Sequence, residues 1–179
     1  MPVSARTSAD RREQHPHGVT LVPALTRLGH VVLRVRSLAI SVPFYTAVLG
    51  LREGARLQGP ARDIVGSELA FFSCGSNHHD LALLESPQTR PADPQCAGLA
   101  HLALRIGDHI DTLRACHAHL RGLGVALHHA RDHELSQSLY FLDPDGLLIE
   151  VCVDADPALW AARPEAVATV RPLQVAWLE

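Results

Sequence analysis

The chain has 179 residues, 47% of them hydrophobic, with 16 basic residues against 19 acids and a formal net charge of −3. That is enough apolar material for one core or two small joined halves, and the charge lacks the basic footprint that nucleic-acid binding requires. No apolar run reaches the roughly 20 residues that cross a bilayer, and the first residues do not read as an apolar signal core. Cys74, Cys96, Cys116 and Cys152 show no ligand spacing, so a reduced, cytoplasmic protein with buried thiols is expected.

In chain order, residues 1–26 mix Arg6, Arg11 and Arg12 with acids, hold His15 and His17, and show no apolar periodicity; a disordered tail is expected. Alternation from Leu28 to Val35 predicts a strand with His30 on one face and Val31, Leu33 and Val35 on the other. A helix follows, capped by Ser37 or Ser41 and stopped by Gly50. Strands over 51–57, 68–74 and 79–84, with turns at Gly59-Pro60 and Gly75-Ser76-Asn77, complete a β-α-β-β-β module over 27–86.

Residues 87–97 hold Pro87, Pro91 and Pro94 and read as a linker. The second module, 98–155, repeats the order: strand 99–106, helix 110–123 ending at Gly124, strand 125–129, then strands 138–142 and 147–153. The last two are joined by an Asp143-Pro144-Asp145-Gly146 turn, which needs no chemistry to explain it. His109, His117 and His119 are assigned to a solvated helix face, where Asp111 and Arg114 stand three apart. Residues 156–179, with Trp160 and Trp177, fall outside the repeat and are expected over a cleft mouth or a dimer interface.

RLGHVVLRV at 27–35 returns as LAHLALRI at 99–106, with His30 and His101 in the same register. Each module alone leaves an apolar sheet face to bury, so the two pair, and equivalent histidines then converge on a pseudo-twofold axis. The closing strand LLIEV adds Glu150. Two imidazoles and one carboxylate make a divalent-metal set with coordination positions left open. Aligning HDLALLE with GLLIEVC sets Leu83 opposite Glu150, so the first module lacks the acid unless Glu85, two residues on, swings in.

At these residues the chain resembles the vicinal oxygen chelate superfamily over about residues 28–155. It is most similar to type I extradiol ring-cleaving dioxygenases and their short catechol-dioxygenase-like relatives. The segments that carry the resemblance are GHVVLRVRSLAISVPFYTAVLGL, FFSCGSNHHDLAL, LAHLAL and DHELSQSLYFLDPDGLLIEV. The resemblance implies an α+β fold of two tandem βαβββ modules pairing into an open, cleft-forming, mixed β-barrel-like sheet around a metal. It implies Fe(II), with Mn(II) as the other option, held by His30, His101 and Glu150. It also implies that His79 acts on oxygen and that His133 and Tyr140 contact the substrate. A small aromatic diol and O2 are then the substrates, with no nucleic-acid or membrane partner, in a homodimer or higher homo-oligomer.

Two ordinary readings stand beside these: Tyr140 as a core aromatic, and His78 as an exposed residue pointing opposite to His79. The superfamily hosts other reactions. A glyoxalase-type isomerase calls for an acid where Leu83 stands. A thiol transferase shares the His-His-Glu set but has no use for His79, His133 and Tyr140, and an antibiotic-binding protein needs no metal set at all.

Overall fold

The computed structural model describes residues 25–87, 90, 93 and 95–178. Most of the tail, residues 1–24, lies outside the described residues, as do linker positions 88, 89, 91, 92 and 94 and the side chain of Trp177. The first module runs β1 (Val31–Val35), α1 (Leu38–Leu49), β2 (Arg52–Leu57), α2 (Pro60–Val65), β3 (Leu69–Ser73) and β4 (Leu81–Glu85). Its sheet order is β1-β4-β3-β2, with β1 parallel to β4. The second runs β5 (Leu102–Gly107), α3 (Ile110–Gly122), β6 (Leu127–Asp132), β7 (Ser136–Leu142) and β8 (Leu148–Asp154), followed by α4 (Pro157–Ala162) and β9 (Arg171–Pro172). Here the order is β5-β8-β7-β6-β9. The fold is α+β, and the sheets of four and five strands stay separate instead of closing into a barrel.

Local chemistry explains the elements. Gly50 stops α1 with a φ of 65°, a conformation that costs a residue with a Cβ about 1–2 kcal/mol. Ser37 precedes α1 but makes no side-chain cap; the orphan N–H of Leu38 donates instead to Glu85 Oε2 at 2.8 Å. Glu85 is therefore a helix cap and does not swing toward a metal. α2, absent from the sequence reading, is six residues long, with proline at its start and Gly66 in the left-handed region at its end.

The helix-facing sides of both sheets share one core, which joins Leu33, Val35, Tyr45, Phe72 and Leu83 with Leu113, Leu120, Leu139, Phe141 and Ile149. α1 and α3 approach each other at its solvent edge, where exposed His119 Nε2 lies 2.9 Å from the Ala47 carbonyl. The Phe44 and Phe141 rings are 6.4 Å apart. Side chains at alternate positions, Val32 and Arg34 on β1 and Ala103 and Arg105 on β5, are exposed on the opposite faces.

A buried polar clamp fixes the modules to each other. Tyr45 donates its hydroxyl to Asp143 Oδ2 at 2.9 Å, while Asp143 Oδ1 accepts from the backbone of Asp145 and Leu147, both at 2.8 Å. Asp145 pairs with Arg36 at 2.5 Å. Burial raises the Asp143 carboxyl above its usual value, and the Tyr45 phenol is raised by burial and then by Asp143. The Asp-Pro-Asp-Gly segment is a turn, as read, but its two carboxylates also hold the first helix.

Three expectations need correction. Val32 pairs with Ala82, and Ala103 pairs with Glu150, so Ala82, not Leu83, stands where Glu150 does; Leu83 is core. His117 is buried, because it shares a helical stripe with Leu113 and Leu120. The thiols are free but not buried: Cys74 and Cys96 are exposed, and Cys116 and Cys152 are partly covered. The C-terminal extension pairs β9 with β6, adds Leu173 and Leu178 to the core and brings the Thr169 carbonyl to His133. Among the described residues no helix is long and apolar enough to cross a membrane.

Candidate metal and substrate site

Alternation along β8 sends Ile149, Val151 and Val153 to the core and Glu150 to the other face. Tyr140 on β7 pairs with Glu150, and His129 on β6 pairs with Tyr140, so three polar side chains form a row across adjacent strands. His101, one residue before β5, closes the row: its Nε2 lies 3.0 Å from Glu150 Oε2. Ser138 Oγ donates to Glu150 Oε1 at 2.6 Å. The Glu150 carboxylate is only 7% exposed, and among the described residues no Lys or Arg pairs with it. A buried anion without a cation is costly, which makes this carboxylate and its imidazole suitable donors for a divalent ion.

The far end of this row is held by a strained turn. Glu134 has a φ of 66°, and its carboxylate is gripped by Arg163 and Arg171. This turn places His133 with Nε2 3.1 Å from the Tyr140 hydroxyl and Nδ1 2.9 Å from the Thr169 carbonyl. Burial, and then the Glu150 charge, raise the Tyr140 phenol far above its usual value, so it stays protonated at neutral pH. The His129 ring stacks on Tyr140 with centroids 4.2 Å apart and 19° between planes. Desolvation, and then Arg131, hold His129 below the usual histidine range. Cys152, on the same face, is pushed up to about 11 by burial and the charges of Glu150 and Asp154.

His30 and His79 lie on the other sheet. Their ring centroids are 4.4 Å apart, and His79 is 5.3 Å from Phe71. His78 does not point away: its Nδ1 is 2.6 Å from that of His79, because both precede β4 in a bend where strand alternation does not apply. Partial desolvation, followed by His30 and His78, lowers His79 below its usual value.

The structure thus brings together His101, Glu150, Tyr140 and His133, and separately His30 and His79, but it does not join the two groups. Among the described residues no three His, Cys, Asp or Glu side chains gather closely enough to hold a metal ion. The chemistry of the donor pair fits a divalent cation; the three-ligand set is not assembled within one chain. Sequence reasoning missed Ser138 and His129. Ser138 was reachable by counting two residues back from Tyr140, whereas His129 depends on a hairpin register that shifts between Leu127 and His129.

The Glyoxalase/Bleomycin resistance protein/Dioxygenase superfamily model matches residues 27–151. Biphenyl-2,3-diol 1,2-dioxygenase 3 of Rhodococcus globerulus is 31% identical over 72% of this chain, which spans 63% of that protein. Protein YaeR of Escherichia coli, uncharacterized, is 30% identical over 71% of this chain and 95% of its own length. Among solved structures, a glyoxalase/dioxygenase from Nostoc punctiforme superposes with a TM-score of 0.60 at 27% identity, covering 78% of this chain and all (100%) of that one. The fosfomycin resistance protein FosX of Listeria monocytogenes shares the fold alone, at a TM-score of 0.54 and 18% identity over 73% of this chain and 93% of its own. With its repeated modules and this match over most of its length, the chain belongs to the glyoxalase, bleomycin resistance protein and dioxygenase superfamily.

Proposed function

We propose that the protein is an extradiol ring-cleaving dioxygenase that binds a catechol at a non-heme Fe(II) centre, with Mn(II) as the second choice, and inserts both atoms of O2. The observation that carries this reading is the row on one sheet face: an imidazole–carboxylate pair, His101 and Glu150, beside a hydroxyl–imidazole pair, Tyr140 and His133. The name of the 31% identical Rhodococcus globerulus relative supports it. Ala82, at the position matching Glu150, leaves the first module without the acid that an isomerase calls for.

When bound, the metal would supply a meeting point for two adjacent catechol oxygens and O2. The remaining work belongs to side chains. Tyr140, kept protonated, hydrogen-bonds a catechol oxygen, and His133 behind it accepts a proton as the diol ionises. His129 fixes the plane of the Tyr140 ring. His79, a neutral imidazole beside His30 on the other sheet, takes and returns a proton on the oxygen side. Ring opening consumes one catechol and one O2 with no external reductant.

Iron-loaded protein mixed anaerobically with a panel of catechols and then given oxygen is expected to consume O2 and form a yellow ring-fission product. No uptake with any catechol at full iron occupancy removes the proposal. His101→Ala is expected to lose metal, while His79→Ala keeps metal and loses turnover. Equal metal loss in both variants would reassign His79.

A further inference from the structure

Residues 156–179 belong to neither repeated module, yet they reach the turn that carries His133. Ala166 and Leu173 of this extension are buried, and β9 continues the sheet beyond β6, with Arg171 opposite Asp132 and Pro172 opposite Arg131. Between those two anchors Thr169 follows a 3-10 turn over Pro164–Ala168, and its carbonyl lies 2.9 Å from His133 Nδ1. A carbonyl oxygen has no hydrogen to give, so Nδ1 is the donor and carries the proton. In a neutral imidazole the other nitrogen is then a bare acceptor. That nitrogen, Nε2, is the one 3.1 Å from the Tyr140 hydroxyl, which therefore donates to it.

We propose that the C-terminal extension fixes His133 as a one-way proton acceptor behind Tyr140, with Glu134, Arg163 and Arg171 as the positioning residues that hold the extension in place. The role of His133 in turnover rests on the proposed function; its tautomer does not. Glu134 is the only described residue other than glycine with a positive φ, 66°, a conformation that costs a residue with a Cβ about 1–2 kcal/mol. Glycine would remove that cost but could not bridge. The Glu134 carboxylate reaches Arg163, at the end of α4, and Arg171 at 3.4 Å on β9, so the extension is tied on both sides of Thr169 to the residue next to His133. The turn itself is pinned as well, His133 N donating to Ser136 O and Glu134 N to Asp132 Oδ1, at 2.8 and 2.7 Å. Both guanidinium groups are largely exposed, and exposed ion pairs add little to stability; what they supply is the placement of one carbonyl. With the hydrogen moved to Nε2, the Tyr140 hydroxyl would accept from His133 instead of donating to it. A proton leaving the diol would then find no vacant nitrogen.

Long-range proton–nitrogen correlation spectra of the full chain, labelled with nitrogen-15 and recorded above neutral pH, read the tautomer directly, and the signal lost in His133→Asn identifies the ring. Wild-type His133 is expected as a single tautomer protonated at Nδ1. Glu134→Gly relaxes the turn while removing the carboxylate, and Arg163→Ala combined with Arg171→Ala leaves the turn untouched while removing both cations. In each of these variants His133 is expected to exchange between its two tautomers. With iron and a catechol, kcat is expected to fall about 10–100-fold, with KM and metal content little changed. Arg163→Lys combined with Arg171→Lys, which keeps both cations, is expected to recover most of the loss. A wild-type His133 protonated at Nε2, or a single Nδ1–H tautomer that survives in both disrupted variants, overturns the inference. The expected tautomers without oxygen uptake from any catechol support the hold on His133 and sink only the dioxygenase reading.

Discussion

Replacing Tyr45 by phenylalanine tests the clamp between the modules with almost no change in packing, since the ring is fully buried and only its hydroxyl is lost. Asp143 Oδ1 keeps its two backbone donors, but Oδ2 loses the Tyr45 hydroxyl at 2.9 Å. A hydrogen bond to a charged acceptor contributes about 1.5–3 kcal/mol, so a deficit of about 2 kcal/mol is expected at pH 7. For a chain of this size that lowers Tm by about 4–8 °C. The pH dependence has a definite sign. Burial raises the folded carboxyl of Asp143 above the usual carboxylate range, so its contribution to stability is fullest below the unfolded pKa and is lost as pH rises through the folded one. Removing the donor raises the folded pKa further, so the deficit of the variant grows from acid to neutral pH and shrinks to about 1 kcal/mol where the carboxyl is protonated. Urea unfolding followed by circular dichroism at pH 4 and pH 7, with equal slopes for both proteins, measures the difference. An unchanged midpoint at pH 7, or a deficit that grows toward acid, would refute the reasoning.

Ser138→Ala leaves Glu150 Oε1 without the 2.6 Å donor that holds it. It is expected to cost about 1–3 kcal/mol in urea unfolding and to weaken divalent-metal binding by about 10–100-fold; unchanged metal affinity by titration would contradict the role given to this hydroxyl. His129→Ala removes the ring stacked on Tyr140, an interaction of about 0.5–1.5 kcal/mol, so kcat/KM for a catechol is expected to fall about 2–12-fold. His129→Phe should recover most of that loss, and an equal loss in both variants would show that the imidazole nitrogen matters instead of the stack.

The two modules were legible because their period-2 and 3.6 patterns repeat in order; His101 followed from the repeat and Glu150 from the closing strand, whereas Tyr140 and His133 came only from the family resemblance. The phase of β4 was not legible. Its sequence LALLE has no polar residue before Glu85 to mark a face, and a one-residue slip exchanges every side chain between faces; hence Leu83 was set opposite Glu150 where Ala82 belongs. α2 is too short for a helical period to register, and His117 was masked by two exposed histidines beside it. The separation of His30 from His101 has a different origin. A repeat shows that two positions are equivalent, but which module faces which is decided by packing, here by Tyr45, Asp143, Arg36 and Asp145.

The outermost strands carry a consequence for behaviour at high concentration. On one sheet, β2 is bent by an irregularity between Glu53 and Ala55 and displays the exposed charges of Arg52, Glu53 and Arg56. On the other, β9 is two residues long, and its Pro172 lies opposite Arg131 with no N–H to offer. Strand addition at either rim is disfavoured by these features. Ribbons therefore do not lengthen through the β2 and β9 rims, which leaves β1 and β5 as the edges open to another strand.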